Sequence, residues 1–121
     1  MSSRGIRGAI TVETNSKEAI LEGTRLMLTE MVERNQVHPD DIASVLITTT
    51  EDLDAVFPAA AARTLPGWEY VPLMCAREIP VPGSLPLCVR VMMLVNTDKR
   101  ADEIQHVFLR DAVKLRPDLL K

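Results

Sequence analysis

The sequence has few aromatic residues, histidines and cysteines, and each shortage excludes a kind of core or site. Aromatic residues make up 3% of the 121 residues, so any core must be built from aliphatic side chains and the six methionines. The two histidines, His38 and His106, and the two cysteines, Cys75 and Cys88, match neither a zinc-ligand spacing nor a multi-bridge disulfide framework. We therefore expect a protein without a metal or a cofactor.

Long apolar runs and phosphate-binding loops are also missing. No apolar stretch approaches the roughly 18 residues of a membrane span, and the first ten residues, MSSRGIRGAI, lack the apolar segment of a signal peptide. The net charge of −3 argues against a nucleic-acid or membrane surface, although it permits a local cationic pocket for a small anion. These absences favour a cytoplasmic protein that binds neither membranes nor nucleic acid.

Alternating apolar patterns predict a single α/β domain over residues 1–121. Strands are predicted at residues 6–12, 44–50, 70–76, 87–95 and 106–109. A long helix is predicted at 15–35, a short alanine-rich helix at 59–65, and a short polar helix or turn at 97–104. We expect a mixed sheet of about five strands packed by one long and one or two short helices, an α+β arrangement.

Three local signals refine these elements. Asn15 resembles a helix cap with Glu18 completing a capping box, and Ser16 is the rival cap. Pro72 indicates that the third strand is an edge strand or is bulged. The fourth strand is nearly continuous in apolar residues, which is typical of a strand buried on both faces.

Arg90 is the most unusual charged residue, because it lies in the middle of the apolar segment CVRVMMLV. A guanidinium stays charged at any accessible pH, and an unpaired charge in an apolar sheet is costly. Arg90 therefore requires an anion, which is either a carboxylate of the protein or a ligand. An arginine on the exposed face of the sheet is the simpler alternative.

Three further arginines are weaker candidates for anion binding. Arg7 lies in the first strand on the face opposite Ile6 and Ile10, but solvation near the N-terminus would also explain it. Arg63 ends the alanine-rich helix, where a cation complements the helix dipole. Arg116, in the C-terminal tail, carries little weight alone.

Glu78 and Cys75 flank the end of the third strand. Glu78 is either a solvated carboxylate or the partner of Arg90. Strict alternation places Cys75 and Glu78 on opposite faces, so a pocket shared by both side chains requires a bulge or a chain that leaves the strand. No motif ties a histidine base to Cys75, which favours a small buried residue or a weak hydrogen-bond donor over a nucleophile.

Taken together, these segments resemble the trimeric, monofunctional chorismate mutases of the bacterial pseudo-α/β-barrel class. The matching stretches are RGIRGAITVE (4–13), AVFPAAAAR (55–63), GWEYVPLMCAREI (67–79), CVRVMMLVNT (88–97) and HVFLRDAVKLRPDL (106–119). Their order along nearly the whole chain makes the resemblance specific. It implies a homotrimer that forms a pseudo-α/β barrel, with active sites between subunits.

The resemblance also implies the reaction and the roles of the charged residues. Chorismate is converted to prephenate by an intramolecular Claisen rearrangement in phenylalanine and tyrosine biosynthesis, without a cofactor or a metal. Arg90 would hold a carboxylate beside the ether oxygen, where negative charge develops. Arg7 would bind a substrate carboxylate, Glu78 would accept a hydrogen bond from the ring hydroxyl, and Cys75 would contact the same hydroxyl.

The remaining site residues implied by the resemblance are apolar walls and outer cations. Phe57 and Leu115 would hold the substrate side chain over the ring, and Arg63 and Arg116 would lie at the mouth of the pocket. Phe57 and Arg63 would come from a neighbouring subunit. The other residues assigned to substrate binding are Leu73, Met74 and Phe108.

Phe108 departs from the family pattern, which often has a tyrosine whose hydroxyl reaches a substrate carboxylate. The ring is kept but a donor is lost, so we expect substrate binding weaker by about 0.5–1.5 kcal/mol for an ordinary hydrogen bond, and by more for one to a charged group. Met74 also stands where relatives have a smaller polar residue.

Other functions compete with this one. The trimeric enamine/imine deaminases share the architecture and place an arginine in a similar strand, although RGIRGA and the RPD tail favour the mutase. A non-catalytic module that binds a small anion is permitted by the composition, but the joint presence of Arg7, Glu78 and Arg90 argues against it. Because Phe108 stands where the family often has a tyrosine, a mutase relative that has lost its activity is a third possibility.

Overall fold

The computed structural model describes residues 1–115 and shows five strands and two α-helices there. The strands are β1 (Ser2–Thr11), β2 (Ile42–Thr49), β3 (Leu73–Arg77), β4 (Cys88–Thr97) and β5 (Val107–Leu109). The helices are α1 (Lys17–Arg34) and α2 (Ala59–Ala62), and short 3-10 turns occupy Pro39–Asp41, Ala101–Glu103 and Arg110–Lys114. The predicted α+β fold, with one long helix, is confirmed.

The strands form one mixed sheet in the order β3-β2-β4-β1-β5. Central β4 pairs antiparallel with β1 and with β2. The outer strands run parallel to their neighbours, β3 to β2 and β5 to β1. Because parallel neighbours need a crossover connection, the chain passes through α2 between β2 and β3. The apolar segment that carries Arg90 thus lies in the middle of the sheet.

β1 is longer than its apolar pattern predicts. It begins at Ser2 rather than at Ile6, because its first residues pair with the far end of β4. Ser2 lies opposite Thr97, and Gly5 lies opposite Leu94. Strand preference depends strongly on cross-strand neighbours, so the partner strand extends β1 into polar residues that no local pattern would assign.

The long helix is capped by the second of the two predicted candidates. The hydroxyl of Ser16 accepts a hydrogen bond from the N–H of Ala19 at 3.1 Å, and α1 begins at the next residue. The side-chain oxygen of Asn15 instead accepts from the backbone N–H groups of Asp54 and Ala55. Asn15 therefore fastens the start of the helix to the loop that follows β2.

α2 and β3 are both shorter than predicted. After α2 the chain continues in i→i+3 turns, as in the bond from the N–H of Thr64 to the carbonyl of Ala61. β3 begins at Leu73, because pairing with β2 starts at the carbonyl of Pro72. Tyr70 lies outside the strand and is almost fully exposed. The edge position predicted from Pro72 is confirmed.

One face of the sheet, here called the helix face, packs against α1 and carries most of the core. Its side chains join those of α1 in one buried cluster. Gly8 allows the helix to approach closely, because a Cβ there would collide with the side chain of Met31. The fully buried strand residues of this cluster are Ile6, Ile10, Val45, Ile47, Val89, Met93, Val95 and Val107.

The other face, here called the open face, carries the residues of opposite alternation. Along β4, Val91 and Met93 are buried on the helix face, whereas Met92 and Leu94 are 41% and 42% exposed. The prediction that β4 is buried on both faces is therefore wrong for the single chain. Alternate residues of this apolar run lie on the helix face, where α1 packs against the sheet, and on the open face, which neither α1 nor α2 covers.

Candidate active site

Arg90 lies in the middle of central β4 on the open face. Its cross-strand neighbours are Ala9 of β1 and Thr48 of β2. The side chain is 28% exposed, and its buried Nε has no hydrogen-bond partner among residues 1–115. Leaving a buried charged donor without an acceptor is costly. The geometry therefore favours an additional acceptor at this guanidinium.

Glu78 supplies the nearest carboxylate, and we call Arg90 and Glu78 the charged pair. Oε2 of Glu78 lies 3.8 Å from Nε of Arg90, within ion-pair distance but too far for a hydrogen bond. The same oxygen accepts a hydrogen bond from the hydroxyl of Thr48, and the N–H of Glu78 donates to the carbonyl of Thr49 at 2.8 Å. The end of β2 thus holds the carboxylate beside the guanidinium.

Thr48 is a site residue that the sequence reasoning missed. It lies within SVLITTT, where its hydroxyl alternates with the buried Val45 and Ile47 side chains. That alternation assigns Thr48 to the open face, but three consecutive threonines look like an ordinary strand end. Only the pairing of Thr48 with Arg90 shows that the hydroxyl is at the charged pair.

Arg7 lies on the open face one strand away from Arg90. It pairs with Met92 and is therefore diagonal to Arg90, a relation that places the two residues roughly 7–8 Å apart. Its guanidinium carbon lies 5.7 Å from the centre of the Phe108 ring, within cation–π reach. The N–H of Arg7 donates to Nδ1 of His106 at 2.9 Å, which ties β1 to the start of β5.

A small apolar cluster lies beside the two arginines on the open face. Phe108 is 4% exposed and packs with Ala9, Cys88 and Ala112. The side chain of Leu115 packs against the same cluster. The structure thus brings the predicted residues Phe108 and Leu115 to the same face as Arg7 and the charged pair.

Cys75 does not share that face through its side chain. In the register of β3 with β2, Cys75 lies beside Ile47 and Leu73 beside Val45, both helix-face positions. Met74 has the opposite alternation and is 69% exposed on the open face. The register of β3 has no irregularity between residues 73 and 77, so the sheet separates the thiol of Cys75 from the charged pair.

The backbone of Cys75 reaches the free edge of the sheet instead. The N–H of Val45 donates to the carbonyl of Pro72, and the N–H of Glu78 donates to the carbonyl of Thr49. In a parallel ladder these bonds direct the N–H groups of every second residue of β3 toward β2. The N–H of Cys75 has the other alternation and points away from β2, three residues before Glu78.

Two predicted residues lie apart from the charged pair within one chain. Phe57, just before α2, is 75% exposed and lines a cavity of about 590 Å³ together with Cys75. Arg63, just after α2, lines a separate cavity of about 430 Å³. No hydrogen bond, ion pair or ring contact in residues 1–115 connects either of them to the charged pair. Arg116 lies outside the described residues.

Burial and charge set the state of the thiol beside Arg90. Burial raises the pKa of Cys88 above its ordinary value of 9.0, and the nearby Arg90 guanidinium only partly offsets that increase. Cys88 is therefore a neutral thiol near pH 7. It leaves the positive charge of Arg90 uncompensated on that side.

No metal site accompanies these side chains in the described part of the chain. Residues 1–115 contain no group of three His, Cys, Asp or Glu side chains that could hold a metal ion. None of the helices within those residues has both the length and the apolar character that crossing a bilayer requires.

The fold and the charged side chains on its open face define a class of protein. Arg7 and Arg90 hold fixed positive charges over an apolar floor, and Glu78 holds a hydrogen-bond acceptor beside them. Side chains of these kinds can hold a small anion and stabilise negative charge that develops on it. The class so defined is a small α+β protein with two arginines and a carboxylate on the open face of its sheet.

The chain belongs to the type I chorismate mutase family, whose pattern it matches over residues 3–119. It is 50% identical over 119 residues to chorismate mutase AroH of Bacillus subtilis (strain 168), covering 98% of this chain and 94% of that protein. It is 55% identical over 117 residues to chorismate mutase AroH of Thermus thermophilus, covering 96% of this chain and 95% of that protein.

A solved structure agrees with these sequence relatives. A chorismate mutase from Clostridium thermocellum superposes with a TM-score of 0.88 at 52% identity, over 90% of this chain and 96% of that one. The resemblance stated from the sequence is therefore confirmed. The chain is a chorismate mutase, an isomerase, and neither the deaminase nor the non-catalytic binding module is favoured.

Proposed function

We propose that this protein converts chorismate to prephenate on the open face of its sheet, in the biosynthesis of phenylalanine and tyrosine. The reaction is an intramolecular Claisen rearrangement, in which one C–O bond breaks while one C–C bond forms and no proton is transferred. The observation that carries the proposal is the buried Nε of Arg90, which lacks a hydrogen-bond acceptor in residues 1–115 although a carboxylate lies 3.8 Å away.

Arg90 would act on the breaking bond. Negative charge accumulates on the ether oxygen as the C–O bond lengthens, and a fixed guanidinium aimed there stabilises the transition state more than the ground state. A strand in the centre of the sheet supports the guanidinium, so little reorganisation is needed as charge develops. The same side chain has donors left to hold a substrate carboxylate.

Glu78 would orient the ring through its hydroxyl group. Its carboxylate accepts a hydrogen bond from Thr48, which leaves further lone pairs for the substrate. The negative charge of Glu78 would also favour the positive charge that develops on the ring. Because the side chain of Cys75 lies on the helix face, its contact with the hydroxyl would be made by the backbone N–H at the sheet edge.

Arg7, Phe108 and Leu115 would bind the other end of the substrate. The Arg7 guanidinium stands over the Phe108 ring, which leaves its edge free to hold a carboxylate. Leu115 packs on the same cluster and would help to keep the reacting side chain folded over the ring. Such restriction supplies proximity without any covalent intermediate.

The open face also carries the proposed surface for subunit association. Four exposed apolar side chains form a continuous group there, which we call the open-face strip. Its members are adjacent across the strands, with Met92 beside Leu46 and Leu46 beside Met74. Exposed apolar groups of this kind mark interaction sites. The open-face strip consists of Leu46, Met74, Met92 and Leu94.

A homotrimer would complete the active site. Phe57 and Arg63 have no contact with the charged pair within one chain, so their implied roles require a neighbouring subunit. Phe57 would provide an apolar wall, and Arg63 would lie at the mouth with Arg116, where both would attract the dianion. Met74 would line the same pocket from the open face of β3, whereas the side chain of Leu73 lies on the helix face and lines the cavity beside Arg63 instead.

The proposed setting is a reducing cytoplasm, with residues 1–121 acting as one catalytic domain. Both cysteines, Cys75 and Cys88, are free, which fits that compartment.

The test is a direct assay. Purified protein is mixed with chorismate in the presence of a chelator, and the loss of chorismate absorbance is followed while prephenate is identified as the product. Arg90→Ala is the inactive control. Arg34→Ala is its matched control, because Arg34 pairs with Glu30 on the exposed side of α1 at 2.9 Å. The wild type and Arg34→Ala are expected to turn over chorismate rapidly, and Arg90→Ala is not. An inactive wild type would refute the proposal.

A further inference from the structure

An acidic side chain outside the charged pair connects the ends of β2 and β4. Asp52 follows β2, and its two carboxylate oxygens accept hydrogen bonds from the N–H of Leu87 at 3.2 and 3.0 Å. Leu87 is the residue that leads into β4. The hydroxyl of Thr50 also donates to Asp52. Asp52, Thr50 and Leu87 are called the strand clamp below.

The strand clamp is bonded to the residues that carry the charged pair. The N–H of Thr50 donates to the carbonyl of Cys88 at 3.0 Å, and its hydroxyl oxygen accepts from the N–H of Cys88 at 3.0 Å. Cys88 lies two residues before Arg90 on the same face of β4. On the other side, Thr49 accepts the backbone hydrogen bond of Glu78. The strand clamp thus lies between Cys88, which precedes Arg90 in β4, and Thr49, which accepts the backbone hydrogen bond of Glu78.

Leu87 has a backbone conformation that needs external support. Its φ of +52° lies in the left-handed region, which residues with a Cβ rarely adopt. Such residues persist where their surroundings over-determine them. Leu87 is held from both sides, because its carbonyl accepts from the N–H of Val12 at 2.8 Å while its N–H donates to Asp52.

This conformation sets which face each residue of β4 occupies. Leu85 packs against the open-face cluster, whereas Leu87 packs against the core of the helix face. An extended chain would place both on the same face. The left-handed turn at Leu87 therefore marks where the alternation of β4 begins, with Val89 toward the helices and Arg90 toward the open face.

We propose that Asp52 is a positioning residue for Arg90. By holding the N–H of Leu87 and the hydroxyl of Thr50, it fixes the start of β4 and so the place of the guanidinium relative to Glu78. Asp52 itself makes no hydrogen bond or ion pair with the charged pair. The inference rests on the roles proposed above for Arg90 and Glu78.

Three variants test the role of Asp52. Asp52→Ala removes both acceptors. Asp52→Asn keeps a carbonyl oxygen that can accept from Leu87. Glu51→Ala is the matched control, because Glu51 is an exposed neighbour without a hydrogen bond or ion pair in residues 1–115. Displacing a catalytic group by about 1 Å can cost about 100-fold, so Asp52→Ala is expected to lower kcat about 10- to 100-fold with a smaller change in KM.

The pattern among the variants distinguishes positioning from stability. Asp52→Asn is expected to recover most of kcat, and Glu51→Ala is expected to match the wild type. Adding Asp52→Ala to Arg90→Ala should leave the residual rate nearly unchanged, because residues that act through one another are not additive. If Asp52→Ala lowers only the thermal midpoint and leaves kcat of the folded enzyme at the wild-type value, the inference is refuted.

A measurement independent of turnover completes the test. Amide hydrogen exchange in the unliganded protein should become faster over residues 87–90 in Asp52→Ala and stay unchanged in α1. Unchanged exchange at 87–90 would refute the clamp even if activity fell. An inactive wild type with fast exchange at 87–90 in Asp52→Ala would refute the proposed function but leave the clamp supported.

Discussion

The two faces of the sheet are built from the same strands, yet they differ in almost every physical property. On the helix face, Ile6, Ile47 and Met93 are fully buried against α1. On the open face, the same strands carry Arg7 and Arg90 beside exposed apolar side chains. Alternation along each strand therefore separates the residues that form the core from those proposed to bind the substrate and stabilise its reaction.

The comparison shows why a charge can lie in the middle of an apolar strand. Arg90 follows Val89 and precedes Val91, both buried, but its own side chain is on the face that the helices do not cover. There it remains partly hydrated and lies near Glu78. The cost of burying a whole guanidinium in the core is reduced, although its Nε remains buried, and the central position of β4 still holds the residue rigidly.

The largest effect is expected from removing the charge on the open face. Arg90→Ala should lower kcat about 100- to 1,000-fold, because a preorganised cation next to developing charge is lost. Arg90→Lys should also be severely impaired, since an ammonium lacks the planar fork of the guanidinium. Steady-state kinetics measures both, and circular dichroism should show an unchanged fold. An Arg90→Ala enzyme with wild-type kcat would contradict the proposal that the open face carries the catalytic charge.

A core substitution should have the opposite signature. Leu28 of α1 is fully buried, so Leu28→Ala should lower the free energy of unfolding by about 2–5 kcal/mol with little change in kcat of the folded protein. Leu26 of the same helix is 41% exposed, and Leu26→Ala should change stability far less. Denaturation at one fixed protein concentration measures the difference, and equal effects at both positions would contradict the assigned burial.

The open-face strip can be tested against an equally exposed leucine on the helix. Met92 and Leu26 are both 41% exposed, but only Met92 belongs to the strip. Met92→Asp should weaken subunit association about 100-fold or more, because a carboxylate would be buried at the interface. Leu26→Asp should leave the assembly unchanged. Sedimentation analysis distinguishes them, and a Met92→Asp protein that stays trimeric would exclude this face as the interface.

The smallest effect is expected at the ring beneath Arg7. Phe108→Tyr adds a hydroxyl that could reach a substrate carboxylate. It should lower KM by at least about 2- to 10-fold, because an ordinary hydrogen bond contributes about 0.5–1.5 kcal/mol and one to a charged group contributes more. Phe108→Leu serves as the control that removes the ring without adding a donor. A KM for Phe108→Tyr that is unchanged or raised would refute this assignment.

The sequence predicted the elements whose signals are local. Apolar runs located all five strands, and a charge inside such a run identified Arg90. The alternation rule also predicted that Cys75 and Glu78 share a pocket only if the chain bulges or leaves the strand between them. β3 has no bulge and ends at the residue before Glu78, and the side chain of Cys75 stays on the helix face. What the pattern could not supply was long-range pairing, which extends β1 to Ser2 and directs Asn15 to the loop after β2.

The missed residues share one physical reason. Thr48 and Asp52 are polar residues at the end of a strand, where a solvated side chain is the usual explanation. Their importance depends on hydrogen bonds to Glu78 and Leu87, which lie 30 and 35 residues away in sequence. Such contacts exist only after the sheet has formed, so no local pattern predicts them.

The central claim is that the open face becomes an active site only when a second subunit joins it, and mixing two inactive variants tests this most directly. Arg90→Ala and the double variant Phe57→Ala/Arg63→Ala are unfolded together, refolded as mixed trimers and assayed with chorismate. If these residues come from different chains, random mixing in a closed ring restores about a quarter of the wild-type sites. Activity no greater than the average of the two separate variants would contradict the claim.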